Sequence, residues 1–182
     1  MSDGDDGGMC RLALIADTHL RGPKVQLPDV CLNVLRTADL IVHACDLVTP
    51  EVLVELAQLG APVVAVRGNL DVPALAAVLP ETRLLEVGGT RIAVLHDAGA
   101  ARGRLQRLRR RFPDADAVVF GHSHVPLHET AAEGFQIFNP GSPTARRRQP
   151  QHTMGLALVS GGAVTFRLLV LEEPRASSSF PS

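Results

Sequence analysis

The chain has 182 residues, a formal net charge of −1 and 46% hydrophobic residues. That length suits one domain with a self-sufficient core, and so small a charge gives no whole-chain field to draw the protein to DNA or to an anionic membrane. With 3% aromatic residues and neither Trp nor Tyr, it lacks the ring platforms on which single-stranded nucleic acids stack, so no specific nucleic-acid partner is expected.

The three cysteines, Cys10, Cys31 and Cys45, are odd in number and form no C-x-x-C pair. They argue against a disulfide framework and for a reducing, cytoplasmic setting. The N-terminal "MSDGDDGG" is acidic and has no apolar signal-peptide core, and no apolar run reaches the roughly 18 residues of a membrane helix. Residues 1–9 and 172–182 ("EEPRASSSFPS") read as disordered tails around a single domain at 10–171.

In chain order, "RLALIAD" (11–17) reads as a buried strand, "PDVCLNVLRTA" as a helix and "DLIVHACD" (39–46) as a second strand. "TPEVLVELAQLG" follows as a helix, with Thr49 as N-cap, Pro50 at its first position and Gly60 just past its end. "APVVAVRGN" (61–69) is a third strand, and this alternation is the pattern of a parallel sheet with crossover helices. "TRLLEVGGTRIAVLHD" (82–97) reads as a hairpin turning at Gly88-Gly89. A helical stretch rich in arginine (100–112) precedes the strand "DAVVFG" (116–121). Three final strands are expected in "FQIFN", "MGLALVS" and "AVTFRLLVL", the last two joined through Gly161-Gly162. The sum is an α/β fold of two sheets packed face to face with helices outside.

Polar residues gather at the ends of these strands, where open α/β sheets place ligands. The first ends in Asp17-Thr18-His19, the second in His43-Ala44-Cys45-Asp46 and the third in Gly68-Asn69-Leu70-Asp71. The hairpin ends in His96-Asp97, and the later strand in Gly121-His122-Ser123-His124. Any one of these is readable as turn or capping chemistry. Five apolar runs all ending in carboxylate, imidazole or amide donors point instead to a metal site. Mixed oxygen and nitrogen donors suit Mn, Fe, Zn, Ni or Co.

The series D-x-H, D, G-N, H and G-H-x-H, in this order, resembles the calcineurin-like metallophosphoesterases over about residues 11–170. "NPGSPTARR" (139–147) makes it most similar to their small single-domain, YfcE-like phosphodiesterase branch. The resemblance implies a four-layer sandwich of two mixed sheets and a dinuclear centre of divalent transition-metal ions, manganese foremost. Asp17, His19 and His124 would hold one ion, and Asn69, His96 and His122 the other, with Asp46 bridging. A water shared by the two ions would attack a phosphodiester in line, which gives Asp46, Asn69 and His96 catalytic roles. The implied partner is a small phosphodiester substrate, with a homo-oligomer as an open expectation.

Three positions depart from the family's pattern. Where many members have a histidine able to protonate the leaving group, this chain has Leu70, which has no proton to give. General acids are typically worth about 10²–10⁴-fold, so poor leaving groups should react slowly. Cys45 replaces the glycine before the bridging carboxylate and is expected to strain that loop. Asp97 replaces the second histidine after the hairpin strand. Asp71, Asn139 and Arg146 are read as substrate-side or supporting residues, and "ARRR" (145–148) as a basic segment that could steer an anion. His43 reads as a core or supporting histidine, and His128 and His152 as loop residues. The arginine stretch reads as an amphipathic helix on Leu105, Leu108 and Phe112. Two further functions remain open for this fold: a protein-binding scaffold like the retromer subunit, against which all seven ligands argue, and a phosphomonoesterase.

Overall fold

The computed structural model describes residues 8–20 and 27–171. The tails expected over 1–9 and 172–182 fall outside them, apart from Gly8 and Met9. In chain order the elements are β1 (Cys10–Ile15), α1 (Asp29–Arg36), β2 (Leu40–His43), α2 (Pro50–Ala57), β3 (Val63–Ala65) and α3 (Pro73–Val78). The hairpin β4 (Thr82–Val87) and β5 (Thr90–Leu95), α4 (Arg104–Arg111) and β6 (Ala117–Val119) follow. β7 (Leu127–Thr130), β8 (Gln136–Asn139), β9 (His152–Ser160) and β10 (Ala163–Leu171) complete the described chain.

Two five-stranded mixed sheets result, ordered β10-β9-β1-β2-β3 and β4-β5-β6-β8-β7. In the first, β1, β2 and β3 are parallel, with Ile15 level with His43 and His43 level with Ala65. In the second, β5, β6 and β8 are parallel, with Val94, Val119 and Phe138 level. This register makes the loops after β1, β2 and β3 leave one sheet together, and those after β5, β6 and β8 leave the other.

Period-two alternation divides the second sheet between two cores. Ile92, Val94, Ala117, Val119 and Phe138 join the core shared with the first sheet, while Ala93, Leu95, Val118, Phe120 and Ile137 pack with Leu108 of α4. β1 is buried on both faces beyond Arg11, as a central strand covered on both sides must be. The Gly88-Gly89 and Gly161-Gly162 turns have φ of 51°, 77°, 57° and 76°. Both pairs supply the positive φ that a two-residue hairpin loop demands.

Some expectations are corrected. Two short elements, α3 and β7, carry no strong periodicity: β7 reads Leu-His-Glu-Thr and is exposed on an outer edge. Thr49 occupies the N-cap of α2 but its hydroxyl makes no capping bond, and Gly60 lies two residues beyond the C-cap Gln58. α4 is the amphipathic helix expected, shorter than 100–112. Its arginines are largely structural. Arg107 donates to Ala98 and Ala100 carbonyls at 2.8 and 2.6 Å, and Arg109 donates to Pro113 at 2.7 Å while lying over the Phe135 ring.

Candidate metal centre

The level strand ends bring Asp17, His19, Asp46, Asn69, His96, His122 and His124 into one cluster. His19 Nε2 and His124 Nε2 are 3.1 Å apart, with Asp17 Oδ1 at 3.9 and 3.6 Å from them. On the other side, Asn69 Oδ1 lies 2.9 Å from His96 Nε2 and 3.0 Å from His122 Nδ1. Asp46 stands between: its Oδ2 is 3.5 Å from His19 Nε2 and 3.5 Å from His96 Nε2. Its Oδ1 accepts the Leu70 N–H at 3.0 Å.

Backbone carbonyls set the tautomers of two histidines. Carbonyls only accept, so His96 Nδ1, 3.0 Å from Ala44 O, carries its proton outward, and so does His124 Nδ1 against Ala145 O. In the neutral rings the Nε2 lone pairs therefore face into the cluster, toward Asn69 Oδ1 and His19 Nε2 respectively. Asn69 Oδ1 and a neutral His96 Nε2 are then two acceptors 2.9 Å apart, a contact that a cation held between them would relieve. Asp17 Oδ2 adds a buried carboxylate oxygen with no hydrogen-bond partner. The Asp17, His19, His124 set and the Asp17, Asp46, His96 set both bring their ligand atoms within 4.8 Å of one another. These residues fit divalent metal ions, with carbonyls holding the outward imidazole nitrogens as ligating histidines require.

The loops achieve this through strained backbone. Asp17, His19, Cys45, Asp46, Val48, His122 and His124 all have positive φ, between 48° and 81°. Non-glycine residues adopt this conformation at a cost and gather in it at functional sites. His122 and His124 face opposite sides through two left-handed residues (φ 68° and 58°). Cys45, at 81°, bears the strain expected of it. Gly68 answers a different need: a Cβ there would lie 2.0 Å from Asp46 Oδ1 and 2.5 Å from the Asp46 amide nitrogen.

The "NPGSPT" loop clasps the Asp17 side. Ser142 Oγ donates to Asp17 O at 2.8 Å and accepts the Ala145 N–H at 2.8 Å, and Thr144 Oγ1 donates to Thr18 O at 2.5 Å. Asn139 is wholly buried and donates to Gly121 O at 2.9 Å and Ser123 Oγ at 3.1 Å, so it supports the histidine loop from within. His43, also wholly buried, accepts the Cys45 N–H on Nδ1 at 3.0 Å and meets Thr18 Oγ1 through Nε2 at 3.2 Å. Sequence reasoning missed Thr18, Ser142 and Thr144, because hydroxyls that bind carbonyls leave no spacing signature.

Protonation follows from burial and neighbours. Burial pushes the Asp46 carboxyl up, but with no metal bound a protonated His96 and the Leu70 N–H donate to it, outweigh this and bring it down to about 2. Burial pulls His96 down, and Asp46 and the Ala44 carbonyl more than reverse this, leaving it raised. Burial lowers His124, and lowers His43 to about 4. The Cys45 thiol is pushed far up by burial and then by the Asp71 charge.

The remaining predicted residues divide. Leu70 is 40% exposed beside Asn69. Asp71 touches no candidate ligand side chain and reaches the two ligand loops instead. Asp97 Oδ1 accepts its own loop's Gly99 N–H at 2.7 Å, and the residue lines a cleft of about 290 Å³ with Asn69, His96, Arg67 and Arg111. Arg146 donates to Gln149 O in its own loop; the neighbouring Arg147 is the one whose charge bears on His124. His128 packs against Phe138 and Phe166, and His152 begins β9; neither joins the cluster. A larger hollow of about 750 Å³ between α1 and α2 is lined by Leu27, Leu32, Val54 and Leu59 and lies apart from these ligands.

A model of the calcineurin-like phosphoesterase superfamily domain matches residues 10–162. The chain belongs to this superfamily. A probable metallophosphoesterase of Methanothermobacter thermautotrophicus is 34% identical over 149 residues, covering 81% of this chain and 85% of the relative. Among solved structures, a single mutant of Vps29 from Entamoeba histolytica superposes with a TM-score of 0.70 at 22% identity, covering 89% of this chain and 99% of that one. An archaeal phosphodiesterase superposes with a TM-score of 0.69 at 18% identity, covering 88% and 99%. These structural likenesses establish the metallophosphoesterase fold, and the superfamily to which the chain belongs is one of metal-dependent phosphoesterases. Among the described residues, no helix is long and apolar enough to cross a membrane.

Proposed function

We propose that this calcineurin-like phosphoesterase hydrolyses small phosphodiesters with two divalent transition-metal ions, manganese foremost. Asp17, His19 and His124 would hold one ion, Asn69, His96 and His122 the other, and Asp46 both. The observation that carries the reading is the position of Asp46 Oδ2, 3.5 Å from an imidazole nitrogen of each half. One carboxylate oxygen shared in this way suits a bridge between two cations.

When bound, such ions lower the pKa of water and neutralise charge on phosphoryl oxygens. The chain's own residues do the rest. The carbonyls of Ala44 and Ala145 fix the imidazole faces of His96 and His124. Asp46, held well below the usual carboxylate range, stays ionised at neutral pH. Asn69 adds a neutral oxygen on the exposed side, in a cleft where Asp97 and Glu81 are offset by Arg67 and Arg111. Leu70 stands beside it at the position of the family's proton donor and has no proton to transfer, which favours diesters with good leaving groups. Arg147 places a positive charge near His124. Three free cysteines agree with a reducing cytoplasm as the working compartment.

The test begins with metal-stripped protein, assayed with and without Mn²⁺ on a chromogenic phosphodiester and its matching monoester. Diesterase activity restored by Mn²⁺, exceeding monoesterase activity and lost in Asp46→Asn, is expected. Preference for the monoester would make it a phosphomonoesterase. No metal uptake and no turnover would make it a scaffold of this fold.

A further inference from the structure

A carboxylate outside the candidate ligand set joins two of the ligand loops. Asp71 Oδ1 accepts the Val48 N–H at 2.8 Å, and its Oδ2 accepts the Gly68 N–H at 2.7 Å and the Cys45 thiol at 3.1 Å. Val48 lies two residues after Asp46, and Gly68 directly precedes Asn69. Two more bonds run alongside, Leu70 N–H to Asp46 Oδ1 at 3.0 Å and Val72 N–H to Val48 O at 3.1 Å. Four hydrogen bonds therefore stitch residues 45–48 to residues 68–72, and the Gly68 N–H closes the second segment onto the same carboxylate.

The first segment needs such a restraint. Cys45, Asp46 and Val48 have φ of 81°, 58° and 76°. For a β-branched residue such as Val48 this is an outlier conformation, and strain of this kind persists only where surrounding contacts over-determine it. Glycine would adopt the Cys45 conformation without a steric cost. What the cysteine adds is a donor: its thiol completes the set of three on Asp71, wholly buried and aimed at a carboxylate.

We propose that Asp71 is a positioning residue, with the Cys45 thiol as its third donor, that holds Asp46 and Asn69 as one unit and thereby sets how tightly the centre binds metal. The inference rests on the metal-dependent reading above. In Asp71→Asn, one side of the amide would present N–H₂ to a backbone N–H or to the thiol, donor against donor. Cys45→Ala removes one bond and keeps the strained φ, whereas Cys45→Ser keeps a donor of similar reach.

Metal-free wild type, Asp71→Asn, Cys45→Ala and Cys45→Ser would be titrated with Co²⁺, followed by visible absorption and binding heat. Melting of each metal-free protein would be recorded in parallel. Asp71→Asn is expected to weaken Co²⁺ binding by roughly 10–100-fold, the range typical of supporting partners of metal ligands. Cys45→Ala should weaken it about tenfold, as loss of a hydrogen bond to a charged group implies, with Cys45→Ser restoring most of that loss. Wild-type affinity in both Asp71→Asn and Cys45→Ala would overturn the proposal, whatever their melting temperatures. Should Asp71→Asn fail to fold, the cysteine pair decides: serine binding as weakly as alanine, or alanine as tightly as wild type, overturns it. Tight Co²⁺ binding by wild type beside unaltered variants defeats this inference alone, whereas no Co²⁺ uptake by wild type defeats the metal reading and this one together.

Discussion

On the Asp17 side of the centre, Ser142 grips the Asp17 carbonyl from 125 residues downstream, Thr144 grips that of Thr18, and both Asp17 and His124 are buried. On the Asn69 side, Asn69 and Leu70 are exposed and His122 is partly so, and the cleft beside His96 opens toward Arg67 and Arg111. Each side has one buried and one part-exposed histidine, so the contrast is carried by buried Asp17 against exposed Asn69 and by the loop that clasps the former. The difference separates two tasks. A clasped side suits fixing an ion, whereas an open side suits admitting a substrate. Changes on the closed side should act through metal affinity and changes on the open side through substrate and leaving group.

The largest effect should come where the two sides meet. Asp46→Asn removes the carboxylate shared by both halves, and diesterase activity should fall by about 10³-fold or more. Loss at only one metal site, with the other unaffected, would show that the halves are independent. Next comes Ser142→Ala, which removes hydrogen bonds to Asp17 O, Ala145 N and Thr144 N. Calorimetric metal affinity should drop by roughly 10–100-fold, with KM at saturating metal unchanged. A raised KM with unchanged metal affinity would contradict the division of labour.

The open side offers a gain. Leu70→His places a titratable group beside Asn69. It should speed diesters with poor leaving groups by about tenfold or more, within the 10²–10⁴-fold typical of general acids, and leave activated diesters and metal affinity nearly unchanged. Equal acceleration of both substrates would rule out proton donation as the missing function.

The smallest effect concerns stability without metal. Folded His43 titrates at about 4 against an ordinary value of 6.5, because its neutral form is buried. Between these values the unfolded chain binds the proton and the folded one does not. Stability from this group is therefore complete above pH 6.5 and declines as pH falls toward 4, by about 3 kcal/mol in all. Thermal melts of metal-free protein should show that decline, and His43→Gln should flatten it. An unchanged slope in the variant would assign the pH dependence to other groups.

The parallel half and the hairpin were legible because buried runs and paired glycines are strong local signals: "RLALIAD" and Gly88-Gly89 announce β1 and the β4–β5 turn. The candidate ligands were legible because each directly follows such a run. The supporting contacts were not. Ser142 and Thr144 bind backbone carbonyls of Asp17 and Thr18, a relation set by tertiary folding alone. Asn139 and Arg146 were conspicuous in the right loop, yet one proves buried support and the other bonds its own loop, while Arg147 bears on His124. The split of His122 and His124 was anticipated, but the left-handed backbone behind it was not, because residues other than glycine mark that conformation only weakly.

The most direct test of the central claim is the number of Mn²⁺ ions bound per chain at saturation, measured by equilibrium dialysis on wild type and Asp46→Asn. Two ions bound tightly by wild type, with both sites weakened together in the variant, is the predicted result. Saturation at one ion, or two tight ions retained without the Asp46 carboxylate, would contradict a centre built around that bridge.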